Sequence, residues 1–178
     1  FLFSTAQAQS DSSTTSTGSV QRPLTNQGKT VVAVLPLENL MQDPRLDFQS
    51  KGIAATLTTQ LNHVPELILV ERLQIDKAVK ELGFSQTAFS DTTRGLQLGK
   101  MLAAQVLVIG EFQVQGDTIR MTVRFLDVET GQISHTAEVT GSTNTFFSLS
   151  DKITYELIDT LHIQVNNKVK TKIEEKQT

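Results

Sequence analysis

The run Thr30-Val31-Val32-Ala33-Val34-Leu35 constrains this chain more than any other stretch. Side chains of a strand alternate between its two faces, so a run that stays apolar at consecutive positions needs cover on both. β-Branched residues dominate it, and Pro36 closes it by withdrawing a backbone donor. The run is therefore expected to be a central, doubly covered strand in a sheet with helices packed on it.

The rest of the periodicity supplies those helices. Asp43-Pro44 reads as an N-cap followed by a first helical residue, after which Leu46, Ile53, Ala54, Leu57 and Leu61 fall on one stripe that Pro65 closes. Leu67 to Val70 is a second strand. Glu71-Arg72 opens a second helix carrying Ile75, Val79 and Leu82 on one face, with Gly83 as the left-handed residue past its end. Ser85 to Asp91 reads as a loop, and Asp91, Thr92 or Thr93 caps a short third helix with Leu98, Met101 and Leu102. A third strand, Val106 to Ile109, is broken by Gly110 and then alternates through Phe112 and Val114. Gly116-Asp117 is a two-residue hairpin signal. Next, Ile119, Met121, Val123 and Phe125 alternate with Arg120, Thr122 and Arg124. After a turn at Asp127 to Gly131, Ile133, His135, Ala137 and Val139 mark a last strand. Phe146, Leu149, Ile153, Leu157 and Leu161 make a closing amphipathic helix.

The order β-α-β-α-α-β-β-β-α defines the fold class: α/β with a mixed (α+β-like) sheet. Its early strands are separated by helices and hence parallel, and its last three form an antiparallel meander.

The ends are of another kind. Phe1-Leu2-Phe3 precedes Ala6-Gln7-Ala8, which has the small-x-small form of a signal-peptidase site, so residues 1–8 read as a signal-peptide remnant. Residues 9–28, rich in Ser, Thr and Gln, read as a tether that buries too little to fold. The folded domain is expected over residues 29–163 and a polar tail over 164–178. No run reaches the roughly 18 apolar residues that span a bilayer.

Composition removes several chemistries. The chain has no cysteine, so disulfides, thiolate metal sites, a cysteine nucleophile and a cysteine lipid anchor are not expected within these residues. A net charge of −3 without a basic stripe gives no nucleic-acid partner. His63, His135 and His162 lie on different elements without ligand spacing. Asp43/Asp47 starts a helix and Asp127/Glu129 belongs to a turn. No glycine-rich phosphate loop or nucleophile elbow is present. Gly95 and Gly99 read as a close helix contact, and Phe84 and Phe89 as core anchors flanking a polar loop, with a partner surface as the alternative. No catalytic residue, cofactor site or metal site is assigned.

Five segments together resemble the CsgG family: Val34-Leu35-Pro36, Leu57-Thr58-Thr59-Gln60-Leu61, Val70-Glu71-Arg72-Leu73, Leu102 to Gly110, and Phe125 to Ile133. Related folds occur in TolB amino-terminal domains and in lipoprotein activators of peptidoglycan synthases. The resemblance runs from Lys29 to Leu161. It implies a non-enzymatic periplasmic domain that binds envelope or secretion proteins in secretion, envelope assembly or surface-structure biogenesis. A soluble subunit of a homo-oligomeric secretion ring is the second reading, and a periplasmic hydrolase with scattered carboxylates is the third. The lipidated cysteine and barrel hairpins of the curli channel have no counterpart here. Gly83 to Asp91 and Gly141 to Thr145 are too short for barrel strands of roughly 9–11 residues, so no membrane insertion is expected.

Export is testable directly. Residues 1–28, preceded by a restored signal start, should activate a reporter that works only outside the cytoplasm; an uncut, silent fusion would refute export.

Overall fold

A computed structural model of the protein describes residues 28–85 and 89–161. The signal-peptide remnant, the tether up to residue 27, His162 and the polar tail lie outside the described residues.

The apolar run forms β1 (Thr30–Val34), and its cover is as expected. Val32 and Val34 enter one core; Val31, Ala33 and Leu35 enter a second on the opposite face. The chain then builds β2 (Glu38–Asn39), α1 (Asp47–Leu61), β3 (Leu67–Leu69), α2 (Arg72–Glu81) and α3 (Thr92–Met101). It continues through β4 (Val106–Gln115), β5 (Thr118–Asp127), β6 (Ile133–Ser142) and α4 (Phe146–Thr160). One six-stranded sheet runs β3-β1-β4-β5-β6, with β2 beside β4. β1 is parallel to β3 and β4, whereas β4-β5-β6 is an antiparallel meander. The mixed α/β architecture is thus present, with residues of α1 and α4 in one core and of α2 and α3 in the other.

Local chemistry sets the joints. Asp91 caps α3 by accepting from the Arg94 N–H at 2.9 Å. Gly83, at φ +62, takes the left-handed turn past α2, and Gly116, at φ +57, sits in the two-residue hairpin between β4 and β5. Gly99 leaves its space to Val128, whose Cγ2 would lie 2.6 Å from an added Cβ. Gln105 bridges β4 to β1. Its side-chain oxygen accepts from the Val31 N–H at 3.0 Å, and its own N–H donates to the Val31 carbonyl at 2.8 Å.

Several expectations are corrected. Asp43-Pro44 starts a short 3-10 turn, Pro44–Leu46, and α1 begins only at Asp47. Beyond Pro36 the chain returns to the sheet as β2, a strand too short to show a period. Gly110 does not break its strand. It lies opposite Val123, where a Cβ would come within 2.2 Å of the Thr122 carbonyl oxygen, so glycine permits the close approach of β5. Met101 and Leu82 are exposed at helix ends. Ile133 is exposed because a bulge interrupts the alternation: Phe125 opposes His135 and Leu126 opposes Ile133, leaving Ser134 as the extra residue.

Truncation in either core should act through stability alone. Leu107→Ala removes a side chain with no solvent exposure, and denaturant titration should show a loss of about 2–5 kcal/mol. Gly110→Ala should also destabilise, because the atom it meets is backbone.

Candidate interaction surface

The first turns of α1 and α4 lie side by side at one end of the sheet; buried polar groups place the first, and hydrogen bonds at the surface place the second. Asn39, on β2, donates from its amide nitrogen to the Asp43 carbonyl at 2.8 Å and to Asp47 Oδ1 at 3.1 Å. Its Oδ1 accepts from the Met41 N–H at 3.1 Å. Ser50 donates its hydroxyl to the Leu37 carbonyl. The entry to α1 is thus bonded to the strand before it, which fixes Phe48. On the other side, Ser142 Oγ accepts from the Asn144 N–H at 3.2 Å, and Thr145 Oγ1 donates to the Ser142 carbonyl at 2.9 Å. These bonds turn the chain from β6 into Phe146 and Phe147. Further along, the Gln60 side chain joins α1 to α4 by donating to Asp151 and accepting from Thr154 Oγ1 at 2.8 Å.

Between the two helix starts lies a groove of about 360 Å³, walled by Phe48, Gly52 and Thr56 of α1, Ile119 of β5, and Phe146 and Phe147 of α4. No charged residue lines it. Phe48 is 71% exposed and Phe147 56% exposed. The rings of Phe146 and Phe147 meet edge-on with centroids 5.5 Å apart. Large aromatic side chains left in solvent around a concave apolar patch mark a surface that another molecule covers.

The outward face of α1 continues this surface. Gly52, Ala55 and Thr59 are exposed and Thr56 half-exposed, and from Gly52 to Leu61 the helix carries no charge on any side. Thr56 and Thr59 donate their hydroxyls back to the Gly52 and Ala55 carbonyls at 3.0 and 2.9 Å, so their polar atoms are satisfied within the helix. A Cβ on Gly52 would meet nothing within 4 Å. A mid-helix glycine costs roughly 0.5–1 kcal/mol relative to alanine, and no neighbour in this chain requires it.

The residues with chemical potential are dispersed. His63 Nδ1 is 2.8 Å from the Thr59 carbonyl at the end of α1. His135 Nε2 is 2.7 Å from Glu156 Oε2, and its ring stacks on Phe125. Asp43 caps the 3-10 turn, and hydrogen bonds from Arg45 hold its carboxyl below the usual range. Asp47 accepts from Asn39. Asp127 Oδ1 accepts from the Thr130 N–H at 2.8 Å in the turn it shares with Glu129. Arg72 of α2 pairs with Asp76 at 3.7 Å. Among the described residues, no group of three or more histidines and carboxylates is placed to hold a metal ion. Phe84 and Phe89 are core anchors: both pack into the second core, with ring centroids 6.2 Å apart.

One polar cluster had no sequence signal. Arg124 Nη2 donates to Glu111 Oε2 at 2.7 Å and to the Ser90 carbonyl at 3.0 Å, and the Ser90 hydroxyl donates to Glu38. It ties the end of the loop before α3 to the polar face of the sheet. Its members come from four separated segments, which is why spacing could not disclose it. Phe48 and Phe147 were likewise unmarked, since an exposed phenylalanine in a helix reads as a core residue.

No family model matches the chain, and no curated protein matches its sequence. Its fold is shared with a lipoprotein. GNA1162 from Neisseria meningitidis aligns over 74% of this chain and 99% of its own, with a TM-score of 0.56 and 13% identity. LpoB of Escherichia coli aligns over 65% of this chain and 57% of its own (TM-score 0.54, 16% identity), so the chain spans little more than half of that protein. TolB from Acinetobacter baumannii aligns over 75% of this chain and 28% of its own, with a TM-score of 0.51 and 11% identity. These neighbours carry the TolB-like and lipoprotein side of the sequence resemblance; they do not carry its CsgG side.

Two substitutions test whether this surface is idle in the isolated fold. Gly52→Ala should raise stability by about 0.5–1 kcal/mol, and Phe147→Ser should change it by less than about 0.5 kcal/mol, both by denaturant titration.

Proposed function

We propose that this protein is a non-catalytic module of the bacterial cell envelope that acts in the periplasm by binding protein partners through the groove between α1 and α4. The groove carries the reading: an uncharged hollow flanked by two exposed phenyl rings is suited to apolar anchors and offers no group for acid–base chemistry. Aromatic anchors around a concave patch supply most of the energy in protein interfaces. The fold shared with GNA1162, LpoB and TolB supports an envelope setting, and so does the signal-peptide reading of residues 1–8. Among the described residues no helix is long and apolar enough to cross a membrane.

A photo-crosslinking side chain in place of Phe147, installed in the full chain in the periplasm, should capture protein in a way that Phe48→Ser abolishes. Capture that ignores Phe48 would reject the groove. Alanine at His63, His135, His162, Asp43 or Glu129 should leave function intact wherever the fold survives. Loss of function at one of them, with melting temperature and partner binding unchanged, would replace this reading with an enzyme.

A further inference from the structure

We infer that the outer edge of β6 is a docking site for an extended segment of a partner protein, which adds a strand to the sheet and sets a lysine or arginine beside Glu138. The inference is independent of the groove, since it rests on backbone groups and not on aromatic side chains.

β6 closes one end of the sheet and is ten residues long, whereas the opposite edge, β3, has three. Its pairing with β5 decides which way its backbone groups point. The Thr143 N–H donates to the Asp117 carbonyl at 2.7 Å. In that register Gly141 exchanges bonds with Ile119, Val139 with Met121, and Ala137 with Val123. The residues that alternate with them, Thr136, Glu138 and Thr140, turn their N–H and C=O groups outward. All three are exposed, and among the described residues no other element bonds to their backbone. The row ends at Ser142, whose carbonyl accepts from Thr145 Oγ1.

Donors and acceptors repeating at every second residue match one kind of ligand, another backbone in extended form. Sheets ordinarily guard such an edge with proline, lysine, a bulge or a very short strand. From Ile133 to Ser142 there is no proline, lysine or arginine, and the bulge is confined to Ser134, ahead of the open row. Thr136 and Thr140 are β-branched, so the row keeps its extended shape before anything pairs with it. Glu138 then sets the charge of the occupant. It pairs with Arg120 of β5 at 2.6 Å, and among the described residues no cation pairs with it from the outer side. A strand laid on the edge places one of its side chains directly beside Glu138, where a basic residue is attracted and an acidic one repelled.

The open edge is read in the purified full chain by amide hydrogen exchange. Thr136, Glu138 and Thr140 should exchange at least about 10-fold faster than Ala137 and Val139, and equal protection of the five amides would overturn the inference. The occupant is read in the periplasm. A photo-crosslinking side chain in place of Thr136, and separately in place of Thr140, should link to a single segment of one partner, at sites about four residues apart with a lysine or arginine between them. Thr140→Pro removes only an outward donor, so it should cut capture from position 136 about 10-fold or more with little change in melting temperature. Thr140→Val keeps that donor and should capture as the natural chain does. Glu138→Lys leaves the backbone untouched and should also cut capture about 10-fold, which keeps the test decisive if the proline variant fails to fold. Links scattered over several segments, capture indifferent to Glu138→Lys or to a folded Thr140→Pro, a captured segment that belongs to this chain, or no capture at all would each overturn the inference.

Discussion

Everything in this domain is referred to β1. Its backbone is bonded to β3 on one side and β4 on the other, and its side chains enter both cores. A strand paired on both edges and covered on both faces has no freedom to slip, because a one-residue shift would exchange the two sets of side chains. Gln105 reinforces that register with a side-chain bond that continues the ladder where β4 has not yet begun. Once β1 is fixed, α1 must pass over one face on its way to β3, while α2 and α3 must pass over the other on their way to β4.

The two faces are not treated alike. Residues of α1 and α4 cover the meander as far as Ile119 and Val139, whereas the second core reaches only Ile109 on β4. Beyond that point the second face is polar, with Glu111 paired to Arg124 and Arg120 to Glu138 across neighbouring strands. An antiparallel sheet tolerates such a solvated face, and rungs of opposite charge need no partner molecule. On the side of the sheet covered by α1 and α4, two phenyl rings, Phe48 and Phe147, are left exposed.

The parts of the fold that were legible in the sequence were those with period. β5 and α4 repeat their signal over many residues, β1 is an unbroken apolar run, Gly83 and Gly116 carry turn chemistry that favours one residue type, and the cap of α3 was narrowed to Asp91, Thr92 or Thr93, of which Asp91 serves. What failed lacked repetition or depended on a neighbour. Two residues of β2 cannot show a period. The bulge at Ser134 is visible only once β5 is paired, and Gly110 looks like a breaker until the approach of Thr122 is known. The proposed interaction surface was hidden for a related reason. Periodicity identifies the inward stripe of α1, and a helix whose other face is small and uncharged from Gly52 onward looks, residue by residue, merely unremarkable.

The surface around Phe48 and Phe147 is informative because of how firmly it is held. Phe48 and Phe147 stand in the first turns of their helices, where Asn39 and Ser142 fix the approach of the chain. Gln60, at the far end of α1, bonds to Asp151 and Thr154 of α4, which ties the two helices together there as well. Several buried polar groups must stay mutually satisfied for this arrangement to persist, and a simpler apolar contact between α1 and α4 would not require them. Their effect is to hold Phe48, Phe147 and the open space over Gly52 in a fixed relation. A surface ordered in advance loses little conformational entropy when it is covered, so a contact of modest area can still be specific.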